Sequence, residues 1–224
     1  MSRLVFSDLH SDLCLWNHIK DFIKPDDQVW FLGDAADRGE DGYEIIKEIL
    51  AHPQITYLKG NHEIMLADAI LEWCGDDSMR GSIQNLYENG GRETFESWVE
   101  CGQNAAIAPT LRGLPTYVLL EGKDGRKIHL SHAGFSTNKP LPKSIDLLWD
   151  RKHINDEYED DTCLVIHGHT PVQFLDPENT NDPAPIMYGN KIDIDLGTPA
   201  SKRTCLLDID EMKTYVVDQG GIWW

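Results

Sequence analysis

The stretch VWFLGDAADRGE, residues 29–40, decides how this chain is read. Four apolar residues run into Gly33, and Asp34, Asp37, Arg38 and Glu40 follow within seven positions. An apolar run closed by glycine reads as a buried strand reaching a turn, which puts the charges at the strand's C-terminal end. Standing alone, such a turn serves solubility. It acquires chemistry only if other strands end in the same way.

They do. FSDLHSD (6–12), YLKGNHE (57–63), IHLSHAG (128–134) and LVIHGHT (164–170) each deliver Asp, His or Asn where an apolar run stops. Strands are predicted at 3–7, 28–33, 55–59, 127–131, 163–167, 191–196, 204–209 and 213–218. Helices are predicted at 12–23, capped by Ser11, and at 42–51 and 63–73. In the first of these Leu15, Ile19, Phe22 and Ile23 form the apolar stripe. The order βαβαβα followed mostly by strands implies an α/β layered sandwich of sheets flanked by helices, with a parallel first half. Residues 74–112 read as a helical excursion over the sheet, and 176–190 as a long surface loop. A length of 224 residues suits a single domain spanning 1–224.

Ligands bind at the carboxyl edge of strands in open α/β sheets. If the five strand ends are neighbours, Asp8, His10, Asp34, Asn61, His132 and His169 converge there. Period-two alternation is expected to put positions 8 and 10 on one face. Histidine, aspartate and asparagine without a thiolate suit divalent Mn, Fe, Zn or Mg. Two ions fit if one aspartate bridges them. Taken singly, Asp8 is a turn residue, Asp37–Arg38 a surface pair worth under about 1 kcal/mol, and glycines 33, 60, 134 and 168 turn formers. Five coincident strand ends favour the joint reading.

Composition narrows the partners. A net charge of −18 and a pI near 4.7 disfavour sequence-independent binding to nucleic acid or anionic membrane. The five cysteines, 14, 74, 101, 163 and 205, form no CxxC pair, which fits free thiols in a reducing compartment. The N-terminus lacks a signal-like apolar region and nothing approaches the roughly 20 apolar residues of a span, so a cytoplasmic protein is expected. Oligomeric state is open. His153 and His167 are read as structural or solvent-facing, and Trp73 and Trp149 as core or cleft-wall packing.

The motifs Asp8-Leu9-His10, Gly33-Asp34-Ala35-Ala36-Asp37-Arg38-Gly39, Gly60-Asn61-His62-Glu63, His132-Ala133-Gly134 and Gly168-His169-Thr170 resemble, in this order, the metal-dependent phosphoprotein phosphatases among the calcineurin-like metallophosphoesterases. NGG (89–91) and LLWDR (147–151) look most like the small bacterial and bacteriophage lambda-type Ser/Thr enzymes, and IDIDLG (192–197) followed by TCLLDID resembles the family's closing strands. The resemblance implies two divalent ions, Mn²⁺ foremost. Asp8, His10 and Asp34 would hold the first, and Asp34, Asn61, His132 and His169 the second. Arg38 and Arg151 would grip phosphoryl oxygens, while His62, oriented by Asp37, would act as general acid as a metal-bridging hydroxide attacks phosphorus. Phosphoserine and phosphothreonine proteins are the implied substrates, with phosphotyrosine and small aryl phosphates beside them. A symmetrical diadenosine tetraphosphatase and a metal-binding pseudophosphatase are the alternatives. Ser7 and Ser11 stand where the family usually has glycine.

Overall fold

Strands that are apolar on both faces need cover on both sides, and this chain supplies it with two sheets and a layer of helices. The computed structural model describes residues 1–136, 143–155 and 162–223. First, β1 (Arg3–Phe6), α1 (Leu13–Phe22), β2 (Gln28–Phe31), α2 (Gly42–Ala51), β3 (Ile55–Tyr57) and α3 (Asn61–Trp73) alternate. Three short helices follow, α4 (Ser82–Glu88), α5 (Arg92–Glu100) and α6 (Ile107–Gly113). Next come β4 (Tyr117–Glu121), β5 (Lys127–Ser131), α7 (Asp146–Trp149), β6 (Cys163–His167), β7 (Ile186–Tyr188) and β8 (Lys191–Asp193). The chain closes with α8 (Thr198–Ser201), β9 (Thr204–Asp208), β10 (Lys213–Asp218) and β11 (Gly221–Trp223).

Among the described residues, one sheet has the order β11-β10-β9-β1-β2-β3 and the other β4-β5-β6-β8-β7. Parallel pairing joins β1 to β2, β2 to β3, β5 to β6 and β6 to β8. Alternation along the strands sorts their side chains between two cores. Leu4, Phe6, Val29 and Phe31 face the helices, meeting Leu15, Trp16, Ile19, Ile45, Ile49 and Leu66. Val5, Trp30 and Leu32 face the opposite way, toward Ile128, Leu130, Leu164, Ile166 and Ile192 of the second sheet. This two-sided burial is why these strands read as unbroken apolar runs rather than alternating ones. Leu86, Phe95, Trp98 and Leu111 bring the 74–112 helices onto the first core, as expected of an excursion packed over the sheet.

Several sequence expectations need correcting. Strands β4, β7 and β11 were not anticipated; β7 falls inside the predicted 176–190 loop and pairs antiparallel with β8. It is a three-residue edge strand, half-exposed, too short to carry a periodic signal. Ser11 does not cap α1: Asp12 does, its carboxylate accepting from the Leu15 amide at 3.2 Å. Trp73 is 50% exposed, outside the core. His153 and His167 are both fully buried, which leaves the structural reading and removes the solvent-facing one. All five cysteines are free thiols, and no helix among the described residues is long and apolar enough to cross a membrane.

One buried group makes the fold acid-sensitive. His129 on β5 is 4% exposed, with its ring 5.0 Å from Tyr117 and 4.4 Å from Phe135. Neither ring nitrogen has a hydrogen-bond partner among the described residues, and burial lowers its pKa to about 4. The unfolded imidazole takes up its proton near pH 6.5, whereas the folded one refuses it until about 4, so stability falls as pH drops through this window. From pH 7.5 to 5 that linkage is worth about 2 kcal/mol. Denaturant unfolding at both pH values should show His129→Leu losing about that much less stability than the parent; an equal loss in both proteins contradicts the assignment.

Candidate metal centre

The loops after β1 and β2 run side by side. The amides of Asp8, His10 and Ser11 donate to the carbonyls of Gly33, Asp34 and Ala35 at 2.9–3.1 Å. Asp8, His10, Asp34, Asp37, Arg38 and His169 all have left-handed backbones, with φ between 43° and 73°. Each such residue costs on the order of 1 kcal/mol or more, and such strain persists where surrounding structure enforces it. Asp8 and His10 therefore come within 4.0 Å of each other through a strained loop, not through strand alternation as expected, because β1 ends at Phe6. Gly33 (φ 102°) lies where a Cβ would collide with the Gly60 backbone, so the ends of β2 and β3 approach chain to chain. At Gly168 a Cβ would strike Ser7 and Asp8.

The histidine tautomers decide what the cleft can bind. The Nδ1–H of His10 donates to the Ala36 carbonyl at 3.1 Å, and that of His132 to the Leu32 carbonyl at 3.0 Å. A carbonyl can only accept, so in the neutral rings both Nε2 atoms turn a lone pair inward, although Asp34 raises the pKa of His132 in spite of its burial. His10 Nε2 lies 3.9 Å from Asp34 Oδ2 and 4.0 Å from Asp8 Oδ1. His132 Nε2 lies 3.4 Å from Asp34 Oδ1 and 2.9 Å from Asn61 Oδ1. With the rings neutral, acceptors face acceptors on both sides of Asp34, and one carboxylate presents a different oxygen to each imidazole. Such a donor set fits divalent cations with Asp34 as the shared group.

Among the described residues, two groups of side chains have ligand atoms within 4.8 Å of one another and could hold metal: His10, Asp34 and His62, and Asp34, His132 and His169. All are buried. The first contains His62 rather than the expected Asp8, whose oxygens accept from the Ser7 hydroxyl and, at 3.2–3.3 Å, from the His169 amide. Burial drives the pKa of His10 down to about 3 and that of His169 to about 2, so both imidazoles stay neutral and able to ligate. Burial, then Asp195 and Asp34, pushes Asp8 well above the usual carboxylate range. Asp34 is held well below it by His132, His62 and His10 in spite of its burial.

The phosphate-binding candidates meet at the same place. Arg38 and Arg151 are exposed and line a cleft of about 530 Å³ with His10, Asp34, Asn61, His62 and His169. Arg38 Nη1 lies 3.4 Å from His10 Nε2, and Arg151 Nε donates to His169 Nε2 at 3.3 Å. The NGG segment holds the Arg38 turn, since the Gly90 carbonyl accepts the Arg38 amide at 2.7 Å. Trp149 is a cleft wall. His62 Nδ1–H donates to Asp37 Oδ2 at 2.6 Å, while Nε2 stands 3.7 Å from Asp34 Oδ2. Burial disfavours charge on this ring, yet Asp34 and the bond to Asp37 together raise its pKa above the ordinary value. Every expected site residue is in the cleft or bonded to one that is.

Supporting residues escaped the sequence reading. Glu63, fully buried, accepts from the amides of Asp34, Ala35 and Gly60 and from the Tyr57 hydroxyl at 2.6–2.9 Å. Its place in the Gly60–Glu63 motif was a signal that could have found it. Thr94 on α5 accepts the Asp37 amide at 2.9 Å, and Ser11 donates to the Asp37 carbonyl at 3.1 Å. Asp195 is buried, lines the cleft and has its pKa raised to about 6, chiefly by burial. Behind His169, His167 donates through Nδ1 to the Gly168 carbonyl at 3.0 Å and accepts the Tyr188 hydroxyl at 2.6 Å.

Two sheets thus bring a His/Asp cluster together at their carboxyl edge. The family profile of the calcineurin-like phosphoesterases matches residues 1–196, and the chain belongs to that family. Solved structures with this fold include a candidate diadenosine tetraphosphatase, with TM-score 0.65, 12% identity and coverage of 99% of this chain and 93% of that one. Another is a Saccharomyces cerevisiae serine/threonine phosphatase similar to human PP5, at 0.60 and 13%, covering 97% and 72%. A third is a metallophosphoesterase from Sphaerobacter thermophilus, at 0.53 and 19%, covering 100% and 89%. Among curated protein sequences nothing matches significantly.

Glu63 offers a direct test of how the strand ends are held. Removing it leaves three buried amides and a phenol without an acceptor, each lost partner being worth roughly 1 kcal/mol or more. Glu63→Ala should lose about 3 kcal/mol in denaturant unfolding, and Glu63→Gln less, because it keeps one acceptor oxygen. A loss under about 1 kcal/mol for Glu63→Ala contradicts the clamp.

Proposed function

We propose that the chain is a divalent-metal-dependent phosphomonoesterase acting on phosphoserine and phosphothreonine in proteins, with phosphotyrosine and small aryl phosphates as further substrates. The observation that carries this reading is the His62–Asp37 pair, 2.6 Å long, beside Asp34 and opposite two guanidinium groups in one cleft. Asp8, His10 and Asp34 would hold one ion, and Asp34, Asn61, His132 and His169 a second. The imidazole and carboxylate donors suit Mn²⁺, Fe²⁺ or Zn²⁺, and Mn²⁺ is the ion to supply first. Bound cations would neutralise the crowded carboxylates and lower the pKa of cleft water enough to give a nucleophile near neutral pH.

The chain's own residues do the rest. Arg38 and Arg151 present planar forks that match phosphoryl oxygens and orient the phosphorus. A serine or threonine alkoxide leaves poorly unless it gains a proton as the bond to phosphorus breaks. His62 Nε2 faces the cleft and can donate that proton, while the bond from Nδ1 to Asp37 fixes the ring and favours its charged form. Asp37 itself is fully buried and its Oδ1 has no partner among the described residues, so its charge is directed at His62. The net charge of −18 disfavours acidic phosphopeptides at low salt, where screening is weak.

The decisive measurement compares phosphopeptide, p-nitrophenyl phosphate and diadenosine tetraphosphate hydrolysis with Mn²⁺ on one preparation. Phosphomonoesters should be turned over and the dinucleotide should not; the reverse makes the chain a dinucleoside polyphosphatase, and metal uptake without turnover makes it a pseudophosphatase. Assayed at saturating Mn²⁺, His62→Asn should slow phosphoserine hydrolysis by roughly 10²–10⁴, with a smaller loss on p-nitrophenyl phosphate, whose leaving group needs less protonation. An unchanged phosphoserine rate removes His62 as the acid.

A further inference from the structure

A second cavity, of about 340 Å³, opens directly from the cleft and shares Arg38, Pro171, Phe174, Gly197 and Pro199 with it. Its remaining walls are Gln173, Thr180, Ala200 and Ser201, so Arg38, at the junction, is its single charged side chain among the described residues. Arg38 turns its guanidinium toward His10, inside the cleft. The Gln173 amide is already engaged, its Nε2 donating to the Leu196 carbonyl at 3.1 Å. At the mouth, Phe174 holds its ring 75% exposed, the most exposed aromatic among the described residues.

We propose that this side cavity is a specificity subsite for an apolar side chain next to the phosphorylated residue of a peptide substrate, with Phe174 as its contact surface. The inference rests on the phosphoprotein phosphatase reading given above and adds which sequences around the phosphate are preferred. Continuity fixes the direction: a phosphoryl group held between Arg38 and Arg151 leaves the adjoining residue of its peptide at the shared rim. Charge fixes the class of occupant. A polyphosphate chain or an acidic side chain running into this cavity would meet no cation beyond Arg38, which the phosphoryl group already occupies, and a basic side chain would meet no carboxylate. An aliphatic or aromatic side chain would exchange water for Phe174, Pro171 and Pro199, and the volume accommodates one such group. Filling an apolar pocket of this kind discriminates by roughly 10-fold or more.

The test uses two phosphoserine peptides that differ only in the residues flanking the phosphoserine, leucine in one and glycine in the other, with Mn²⁺-loaded enzyme. The ratio of their kcat/KM values should be about tenfold in favour of leucine. It should collapse to within about twofold in Phe174→Ser and be largely kept in Phe174→Leu. A flat ratio in the parent protein, or an undiminished ratio in Phe174→Ser, overturns the subsite and leaves the phosphatase reading intact. Hydrolysis of p-nitrophenyl phosphate with neither peptide cleaved overturns both.

Discussion

Lone pairs that face one another around Asp34 are the constraint on which the rest of this structure depends. Two imidazoles give their Nδ1–H to backbone carbonyls and so turn Nε2 toward the oxygens of one buried carboxylate. With both rings neutral that crowding would oppose folding; charge on the surrounding histidines instead holds Asp34 well below the usual carboxylate range. The fold answers with donors wherever the cleft does not need acceptors. Glu63 collects the amides of the Asp34 and Gly60 turns, and the Asp8 carboxylate ties the His169 amide to the first strand end. The acceptors left over are those that aim at the centre.

Strand direction explains why these acceptors meet. Asp8, Asp34, Asn61, His132, His169 and Asp195 follow β1, β2, β3, β5, β6 and β8, all of which take part in parallel pairing. Parallel neighbours end at a common edge, and face-to-face packing through Val5, Leu32, Ile166 and Ile194 brings the edges of both sheets together. The antiparallel strands β9 and β10 extend the first sheet without adding a side chain to the cleft. Left-handed turns then do what glycine would do elsewhere, folding the chain back within one or two residues so that Asp8, His10, Asp34 and His169 face the centre.

The gathering of these side chains at one edge was legible in the sequence because Asp8, Asp34, Asn61, His132 and His169 stand one to four residues beyond the ends of mostly apolar strands. Length made α1, α2 and α3 legible too. What stayed hidden acts across the chain. Thr94 lies 57 residues from the amide it accepts, and Tyr188 lies 21 from the ring it bonds, so neither leaves a local pattern. Ser11 looked like a cap because it precedes an amphipathic stripe, but a left-handed backbone at φ 62° removes it from the extended geometry a cap requires. The short strand β7 is half-exposed at a sheet edge, where three residues cannot declare a period.

The two parts of the cleft answer to different physics. Its floor is made by strand ends locked through backbone bonds, and it fixes which atoms meet the phosphorus. Its walls come from outside the parallel strands: Asn89 between α4 and α5, Trp149 closing α7, Phe174 in the turn after Gly168–Thr170, and Pro199 in α8. Loop-borne walls can change without disturbing the floor, because few backbone bonds tie them to it. The reaction class of this chain follows from the floor. The walls differ in character from the floor: beside Arg38 they are Pro171, Phe174, Gly197 and Pro199, none of them charged.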